Sequence, residues 1–406
     1  MKRLLSVLVF LFSVATLSGC GSNGSSAAPP PDLTATAGDG RVTLTWTMEP
    51  GVQYWVYYAP AASISVDNWT LIPGSHALVD VSSPLTIGGL VNGTTYAFTM
   101  DARRNQGPRG AGAPSVAAVP RLAGGVWTAG SGGGTADLAG VTFGTVGTTI
   151  EFAAVGAGGA LLTSTDGVTW NSVTQSATTA NLNAVCYGGS AFVAAGAGGV
   201  VLYSTDLATW TAETSATASA VNGVATAGSN HFVAIGAGGA ATYSTDGVTW
   251  TAATSGTAND LLGVTFGNAL YVAVGAGGTI LTSPDGVTWT AQTSNTTANL
   301  TSVAWGIDSS TTTYRFVAVG AGGTLLTSTD GVTWTALTAL PIGNINSVTY
   351  GTQFILVGDG GVIYSSTTGT SWQAESSGTT SNLAAIARTG YSYVAVGAGG
   401  THLLSQ

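Results

Sequence analysis

Short apolar strands recur along most of this chain at a nearly constant interval. Each unit contains a glycine-rich turn, GAGG or a close variant, and successive turns lie 40, 40, 39, 45, 38 and 39 residues apart. The turns begin at Gly156, Gly196, Gly236, Gly275, Gly320, Gly358 and Gly397. Seven units of about 40 residues, each with four short strands, predict an all-β fold with a seven-bladed β-propeller over residues 124–406.

Two strands of each unit have a pattern that predicts their place in the ring. The second strand is apolar on both faces, as expected for a strand packed between two neighbouring blades. The first strand has a very small residue at one register: Gly140, Ala184, Gly223, Gly263, Ser302, Ser347 and Ala385. Strands that crowd a central axis need such residues, so we expect the first strands to be innermost.

The two ends of the repeat region complement each other. The last unit stops at Gln406 with three strands, whereas the segment around Trp127 is a tryptophan strand without the other three. We therefore expect the Trp127 strand to pair with the last unit and close the ring. Closure of this kind removes an exposed edge strand.

The N-terminus has the pattern of a secretory signal. Lys2 and Arg3 precede an apolar run over residues 4–17, which is too short to span a bilayer comfortably. The tetrapeptide LSGC at residues 17–20 resembles the lipobox of bacterial lipoproteins. The resemblance implies cleavage after residue 19, lipid on Cys20 and, with Gly21 next, an outer-membrane location on either face. The alternative is an ordinary secretory signal in which Cys20 is incidental.

Residues 32–120 follow a different pattern from the repeats. After a Gly-, Ser- and Pro-rich tether at residues 20–31, short alternating strands separated by turns predict a small β-sandwich. The runs RVTLTW and GLVNGTTYAFTMDARRNQG resemble a fibronectin type III domain, in which Trp46 matches the core tryptophan and Tyr96 the tyrosine corner. The resemblance implies a spacer or binding module without catalytic machinery.

Composition excludes several classes of partner. After residue 19 the chain has no lysine and seven arginines against 18 acidic residues, so it lacks the basic stripe that nucleic acid requires. The glycine turns precede strands and lack the lysine of a P-loop, which argues against nucleotide binding. With Cys20 assigned to lipid, Cys186 is left alone, so no disulfide or cysteine-based zinc site is expected. We expect no metal and no cofactor.

A second motif, STDGVTW or a variant, precedes the last strand of most units. It resembles the Asp-box of sialidase-like propellers, one residue shorter than the common form. The aspartates are Asp166, Asp206, Asp246, Asp285 and Asp330, and Thr368 replaces the acid in one unit. Such an aspartate accepts hydrogen bonds from nearby backbone N–H groups. The accompanying indoles, predicted to wedge between blades, are Trp127, Trp170, Trp210, Trp250, Trp289, Trp334 and Trp372.

The residue inventory argues against an enzyme. A sialidase grips its substrate carboxylate with three arginines, but the blades contain only Arg315 and Arg388. The remaining acids are scattered among units, so no carboxylate pair for glycoside hydrolysis stands out. The pattern VAVGAGGTLLTSTDGVTW is also similar to the propeller of the photosystem II assembly factors, which implies a binding role. The arginine-rich patch of that family is missing here.

Candidate binding residues are those outside the structural demands of the repeat. A polar residue precedes most first strands: Asp137, Asn181, Asp260, Asn299, Asn344 and Asn382, with Ala220 as the exception. They are either turn caps or a polar ring at the channel mouth. A second candidate is the insertion at residues 305–316, with Asp308, Tyr314 and Arg315. A third is the arginine-rich segment with Arg103, Arg104 and Arg109, either a solvated loop or a contact with anionic groups.

The sequence thus favours an envelope lipoprotein that acts as a non-catalytic binding or assembly scaffold. Its partner would be an envelope protein or a glycan. The alternatives are a polysaccharide-active enzyme, a hydrolase or lyase, and a glycan-binding module.

Overall fold

The computed structural model describes residues 24–175, 177–228 and 230–406. The predicted signal peptide and Cys20 lie outside these residues. The chain divides into two compact units, one formed by residues 24–37 and 41–120 and the other by residues 38–40 and 121–406. No helix in the described ranges is long and apolar enough to cross a membrane.

The first unit consists of two antiparallel sheets. One sheet has the strand order Ser25–Ala27, Tyr96–Arg104, Gln53–Ala59 and His76–Val81, and Val116–Ala118 also pairs with Tyr96–Arg104. The other sheet has the order Thr34–Gly38, Arg41–Thr45 and Leu85–Gly88, and a single 3-10 turn spans Trp69–Leu71. Alternate side chains such as Leu44, Tyr54 and Phe98 fill the core, as expected for strands with one buried face.

The second unit contains seven antiparallel sheets, here called blades 1 to 7. Their first strands are Leu138–Val146, Leu182–Gly188, Val221–Thr226, Leu261–Gly267, Leu300–Asp308, Ile345–Tyr350 and Leu383–Arg388. The second strands are Thr149–Gly156, Ala191–Gly196, Phe232–Gly236, Leu270–Gly275, Thr313–Gly320, Phe354–Gly358 and Tyr393–Gly397. The third strands are Leu161–Ser164, Val201–Ser204, Ala241–Ser244, Ile280–Ser283, Leu325–Ser328, Ile363–Ser366 and His402–Ser405.

The outer strands complete each blade. They are Thr169–Ser172, Thr211–Glu213, Trp250–Ala253, Thr290–Gln292, Thr335–Ala336, Gln373–Glu375 and, for blade 7, Thr128–Ala129. In blade 7, Leu403 pairs with Ala129 and Leu404 with Thr128. Blade 1 has a fifth strand, Ser131–Gly132, which runs parallel to its outer strand. Consecutive blades touch through their first strands, and blade 1 also touches blade 7.

The glycine turns are tight 3-10 turns between the second and third strands. They span Ala157–Gly159, Ala197–Gly199, Ala237–Gly239, Ala276–Gly278, Ala321–Gly323, Asp359–Gly361 and Ala398–Gly400. In the first of them, Gly159 has φ +75°, and a Cβ there would lie 2.5 Å from the carbonyl oxygen of Thr178. Only glycine accommodates both the left-handed backbone and this close approach.

The first strands line the central channel, and their small residues permit close approach. A Cβ on Gly263 would lie 2.6 Å from the carbonyl oxygen of Thr301 in the next blade. The second strands are buried along almost their whole length, for example at every residue of Phe232–Gly236. The apolar core of the ring therefore lies between blades, where each second strand is covered on both faces.

The tryptophans lie at these interfaces. Trp210 of blade 2 belongs to the same apolar cluster as Leu161 of blade 1, and Trp127 of blade 7 to the same cluster as Ile363 of blade 6. Each of the seven belongs to an apolar cluster formed by residues of its own blade and of the preceding one. Five indoles are buried, whereas Trp127 and Trp372 are half-buried.

Candidate functional site

The strand order gives the ring two different faces. One face, the glycine face, carries the turns between second and third strands and the loops that enter each first strand. The other, the hairpin face, carries the hairpins between first and second strands and those between third and fourth strands. The two sets of predicted propeller-face residues are thereby separated, because the polar ring lies on the glycine face and the insertion on the hairpin face.

The six polar residues that precede the first strands act as caps between blades. Each side-chain Oδ1 accepts a hydrogen bond from the middle glycine of the preceding blade's turn, as Asp260 does from Gly238 N at 2.7 Å and Asn382 from Gly360 N at 2.8 Å. The other four accept from Gly158, Gly277, Gly322 and Gly399. Their carbonyl oxygens accept from the first residue of their own turn. Of the two sequence-based interpretations, this geometry corresponds to capping.

A second set of polar residues lies on the first strands, two positions after the capping positions. This set was not predicted from the sequence. Asn183 and Asn222 donate through Nδ2 to the carbonyl oxygens of Val221 and Leu261 in the next blade, both at 2.9 Å. Asn346 donates in the same way to Leu383 O at 2.9 Å. The signal in the sequence is a polar residue two positions after each cap, but it is present in only some units.

The Asp-box aspartates accept hydrogen bonds from the backbone of their own hairpins. In blade 3, Asp246 Oδ1 accepts from Thr249 N at 2.7 Å and from Val248 N at 2.8 Å, while Ser244 Oγ accepts from Gly247 N at 2.8 Å. The hydrogen bond from Thr249 N is the largest of the effects that hold the pKa of Asp246 below its usual value. The other four boxed aspartates also have lowered pKa values and the same contacts.

Two blades depart from this arrangement. In blade 6, Thr368 Oγ1 replaces the carboxylate and accepts from Thr370 N and Ser371 N, both at 3.2 Å. The buried Trp372 Nε1 has no hydrogen-bond partner within the described ranges.

In blade 7 the equivalent hairpin is assembled from both ends of the propeller. Ser405 Oγ accepts from Gly124 N at 2.8 Å, and Trp127 Nε1 donates to Gly124 O at 2.7 Å. The corresponding bonds in blade 3 link Gly247 N to Ser244 Oγ and Trp250 Nε1 to Gly247 O.

The insertion of blade 5 forms an extended hairpin with an internal ion pair. Arg315 Nη2 lies 2.6 Å from Asp308 Oδ2, and both side chains are largely buried. Hydrogen bonding from Ser310 is the largest of the effects that lower the pKa of Asp308, and Arg315 adds to it. Tyr314 stacks on Trp305 with an interplanar angle of 14° and is 53% exposed. Of the three predicted residues, Tyr314 alone presents a large free surface.

Exposed apolar side chains of the blades concentrate on the hairpin face. The large ones among the described blade residues are Val126, Ile150, Val248, Tyr314, Val332 and Tyr391. All six belong to hairpins between first and second strands or between third and fourth strands. The glycine face, by contrast, presents glycine, alanine and capping residues. The two faces therefore differ in chemistry as well as in topology.

The hairpin end of the channel carries a ring of larger side chains, here called the collar. Its members are Phe143, Tyr187, Thr226, Phe266, Trp305, Tyr350 and Arg388. Most aromatic members lie over a glycine of the preceding blade, since a Cβ on Gly267 would lie 2.2 Å from the Trp305 ring. The sequence feature that could have revealed the collar is the dipeptide FG, YG or WG at this register.

The arginine-rich segment of the first unit is engaged in internal contacts. The strand Tyr96–Arg104 includes two of its arginines, which were expected in a loop. Arg103 forms two hydrogen bonds to Asp101, at 2.8 and 3.0 Å, and lies 3.6 Å from the Trp55 ring centre. Arg104 pairs with Glu49, and Arg109 with Asp67. Burial, followed by the Asp101 contact, raises the pKa of Tyr57 to about 12.

The environment of Cys186 and the clustering of metal-ligating side chains can be read from the described residues. Cys186 is buried, and burial raises the pKa of its thiol, which favours a packing role. Among the described residues, no cluster of three histidine, cysteine, aspartate or glutamate side chains has the geometry to hold a metal ion.

Comparison with known proteins identifies the fold. No family model and no curated protein matches the chain. Solved structures do, including YCF48 bound to D1 peptide, with 20% identity, a TM-score of 0.57 and coverage of 68% of this chain and 94% of that one. YCF48 from Cyanidioschyzon merolae gives 20%, 0.55, 68% and 98%. An inactive virginiamycin B lyase from Staphylococcus aureus with quinupristin gives 11%, 0.59, 69% and 99%. At these identities the likeness shows a β-propeller fold and nothing finer.

Proposed function

We propose that this protein is a non-catalytic scaffold of the cell envelope that binds a partner protein through the hairpin face of its propeller. The observation that carries the proposal is the concentration of exposed apolar side chains on that face. Exposed apolar patches on a rigid fold are typical of protein interaction sites. A protein of this fold has been solved with a bound peptide, which supports a polypeptide partner.

The aspartates of the blades support a role without catalysis. The five boxed aspartates are held by backbone N–H groups, and Asp308 by Arg315. Asp137 and Asp260 cap turns, whereas Asp359 accepts from Asn344 and Asn346. Acids that stabilise turns are poor candidates for the paired acid and base of glycoside hydrolysis.

The first unit and the N-terminus support attachment to the envelope. We assign the first unit to a fibronectin type III-like spacer, because it has two antiparallel sheets and Tyr96 Oη accepts from Val91 N at 3.2 Å. Lipid on Cys20 would hold the tether at the outer membrane, where more than one acyl chain gives stable anchoring. In the propeller, we assign the pairing of Thr128–Ala129 with the last strand as the closure of the ring.

Affinity capture of the tagged full-length protein from native envelopes tests the proposal. Ile150→Asp and Tyr314→Asp place a charge on the hairpin face, and each should reduce recovery of the partner at least about tenfold, the cost of about 1.4 kcal/mol. Thr297→Asp and Thr380→Asp are the matched controls, since both threonines are exposed in loops of the glycine face. They should leave recovery unchanged.

Three outcomes contradict parts of the proposal. Equal loss in both sets of variants would remove the assignment to the hairpin face. Recovery of a glycan without a protein would favour a glycan-binding module. A Cys20→Ala variant that still fractionates with the membrane and takes up no labelled fatty acid would remove the lipid anchor.

A further inference from the structure

The hairpin end of the channel contains an arginine, Arg388, whose charge has no partner among the residues that the structure describes. Arg388 is half-buried and ends the first strand of blade 7. Its stem packs on the preceding blade, because Cδ lies 2.9 Å from where a Cβ on Gly351 would be. Within the described residues the Arg388 guanidinium forms no ion pair and no hydrogen bond.

Four other arginines of this protein lie in ion pairs. Arg103, Arg104, Arg109 and Arg315 each contact a carboxylate. The pairing of arginines is easy in a chain with a net charge of −9, so an unpaired, half-buried guanidinium in the channel is an exception. Partial burial weakens its hydration, and a bidentate carboxylate is the group that best matches its geometry.

The surroundings of Arg388 supply no substitute for that carboxylate. Tyr350 of blade 6 and Tyr393 of blade 7 lie close enough for the positive charge to act on their pKa values. Burial, the largest effect on both, raises these pKa values, so both phenols stay neutral at neutral pH. The Tyr393 hydroxyl is already occupied, since it donates to Gln353 O at 2.7 Å and accepts from Gln353 N at 3.1 Å.

The collar combines three members without a hydroxyl group, Phe143, Phe266 and Trp305, with the hydroxyl-bearing Thr226, Tyr187 and Tyr350. Phe143, Phe266 and Trp305 are among the residues that line the channel, and the Tyr187 hydroxyl donates to Thr145 O at 3.1 Å. The cavity bounded by the first strands has a volume of about 470 Å³, which suits a small molecule. A single cation also disfavours a polyanion such as a nucleotide phosphate.

We propose that the collar binds a small organic monocarboxylate with an aromatic or aliphatic body, whose carboxylate pairs with Arg388 and whose body lies against Trp305 and Phe266. This site goes beyond the scaffold function, because it needs no partner protein and binds a free ligand. The ring of blades fixes the aromatic members before the ligand arrives, so little side-chain entropy is lost on binding.

Two probes of nearly identical shape test the charge requirement. Isothermal titration of the purified full chain with 3-phenylpropionate and with 3-phenylpropionamide should give at least about tenfold tighter binding of the acid, since a tenfold ratio corresponds to 1.4 kcal/mol. Arg388→Gln should remove this preference by weakening the acid and leaving the amide unchanged. Trp305→Leu should weaken both probes.

The control is Arg121→Gln, which changes an exposed arginine of the same unit and should leave the acid's Kd unchanged. Arg388→Lys keeps the charge without the planar fork, so its acid binding should fall between wild type and Arg388→Gln. The proposal is overturned if neither probe binds at about 10 mM, far weaker than typical specific binding, if acid and amide bind equally, or if Arg388→Gln retains the preference. The Arg388→Lys result decides the matter should Arg388→Gln fail to fold.

Discussion

The Asp-box hairpins of blades 1 to 5 and the matching hairpin of blade 7 share two hydrogen bonds, one at the serine and one at the indole, but form them from different stretches of chain. In blade 3, Ser244, Gly247 and Trp250 come from one run of seven residues. In blade 7, Ser405 lies 281 residues from the Gly124 whose amide it accepts. Hydrogen bonds that are local in sequence in blade 3 are therefore long-range in blade 7. The two hairpins should respond differently to mutation.

Loss of the last strand should have the largest effect. A chain that ends at Thr401 lacks Leu403 and Leu404, both buried, and each buried leucine contributes about 1.5–3 kcal/mol. Together with the lost strand pairing, the deficit is on the order of 5 kcal/mol, and at about 2–4 °C per kcal/mol the unfolding midpoint should fall by about 10 °C or more. Differential scanning calorimetry measures this shift. A chain extended beyond Gln406 is the control, and an unchanged midpoint after truncation would mean that the ring is stable when open.

Low pH should destabilise the Asp-box hairpins of blades 1 to 5 and leave the corresponding hairpins of blades 6 and 7 unaffected. The pKa values of the five boxed aspartates are lowered in the folded protein. Such carboxylates stabilise the fold above their ordinary pKa of 3.8, and this contribution is lost as pH falls through the lowered folded-state values. The urea midpoint should therefore drop steeply below about pH 4, a range set by the ordinary aspartate pKa.

Asp246→Asn sharpens the acid experiment. This variant should have a lower midpoint than wild type at pH 7 and a shallower decline towards pH 3, since one titrating group is gone. The same decline in both proteins would show that other groups control the acid transition. The hairpin of blade 6, with Thr368, and that of blade 7, without a boxed acid, have no carboxylate at the Asp-box position to contribute to this dependence.

Removal of one hydroxyl compares the two hairpin types directly. Ser328→Ala and Ser405→Ala each leave a buried glycine amide without its acceptor, which costs about 1–3 kcal/mol. In blade 5 the hairpin stays joined through Asp330. In blade 7 no short stretch of chain joins the two halves of the hairpin, so amide exchange at residues 124–129 should accelerate about tenfold, the equivalent of 1.4 kcal/mol of local opening. Similar acceleration at 335–336 in Ser328→Ala would remove the distinction.

The period of the sequence was enough to predict the propeller, and the comparisons confirm that fold. Each unit needs the same glycine turn, the same apolar strand and the same small residue near the axis. These patterns therefore recur seven times in the sequence. The capping role of Asn181 or Asp260 was one of two alternatives, because the group it caps lies in the preceding blade. Local sequence carries no information on which distant N–H a side chain will reach.

The collar was missed for a related reason. Its aromatic residues occupy one register of the first strands, where they resemble ordinary core residues of a β-strand. Only the ring brings Trp305 and Arg388 to the same opening. Arg388 was counted in the sequence solely as evidence against an arginine triad, and its lack of a partner became visible once neighbouring side chains had positions.

Restoration of the missing acid in blade 6 should have the smallest effect and the opposite sign. Thr368 Oγ1 accepts two backbone N–H groups at 3.2 Å, whereas Asp330 Oδ1 accepts the equivalent pair at 2.8 Å. Thr368→Asp should shorten these bonds and add charge, for a gain of about 0.5–1.5 kcal/mol and a midpoint higher by a few degrees, at about 2–4 °C per kcal/mol. Because the gain requires an ionised carboxylate, it should vanish below about pH 4. Thr368→Asn, neutral and of the same shape, should show a smaller gain without the pH dependence. A destabilised Thr368→Asp would indicate that the blade 6 hairpin differs from the others in more than the missing acid.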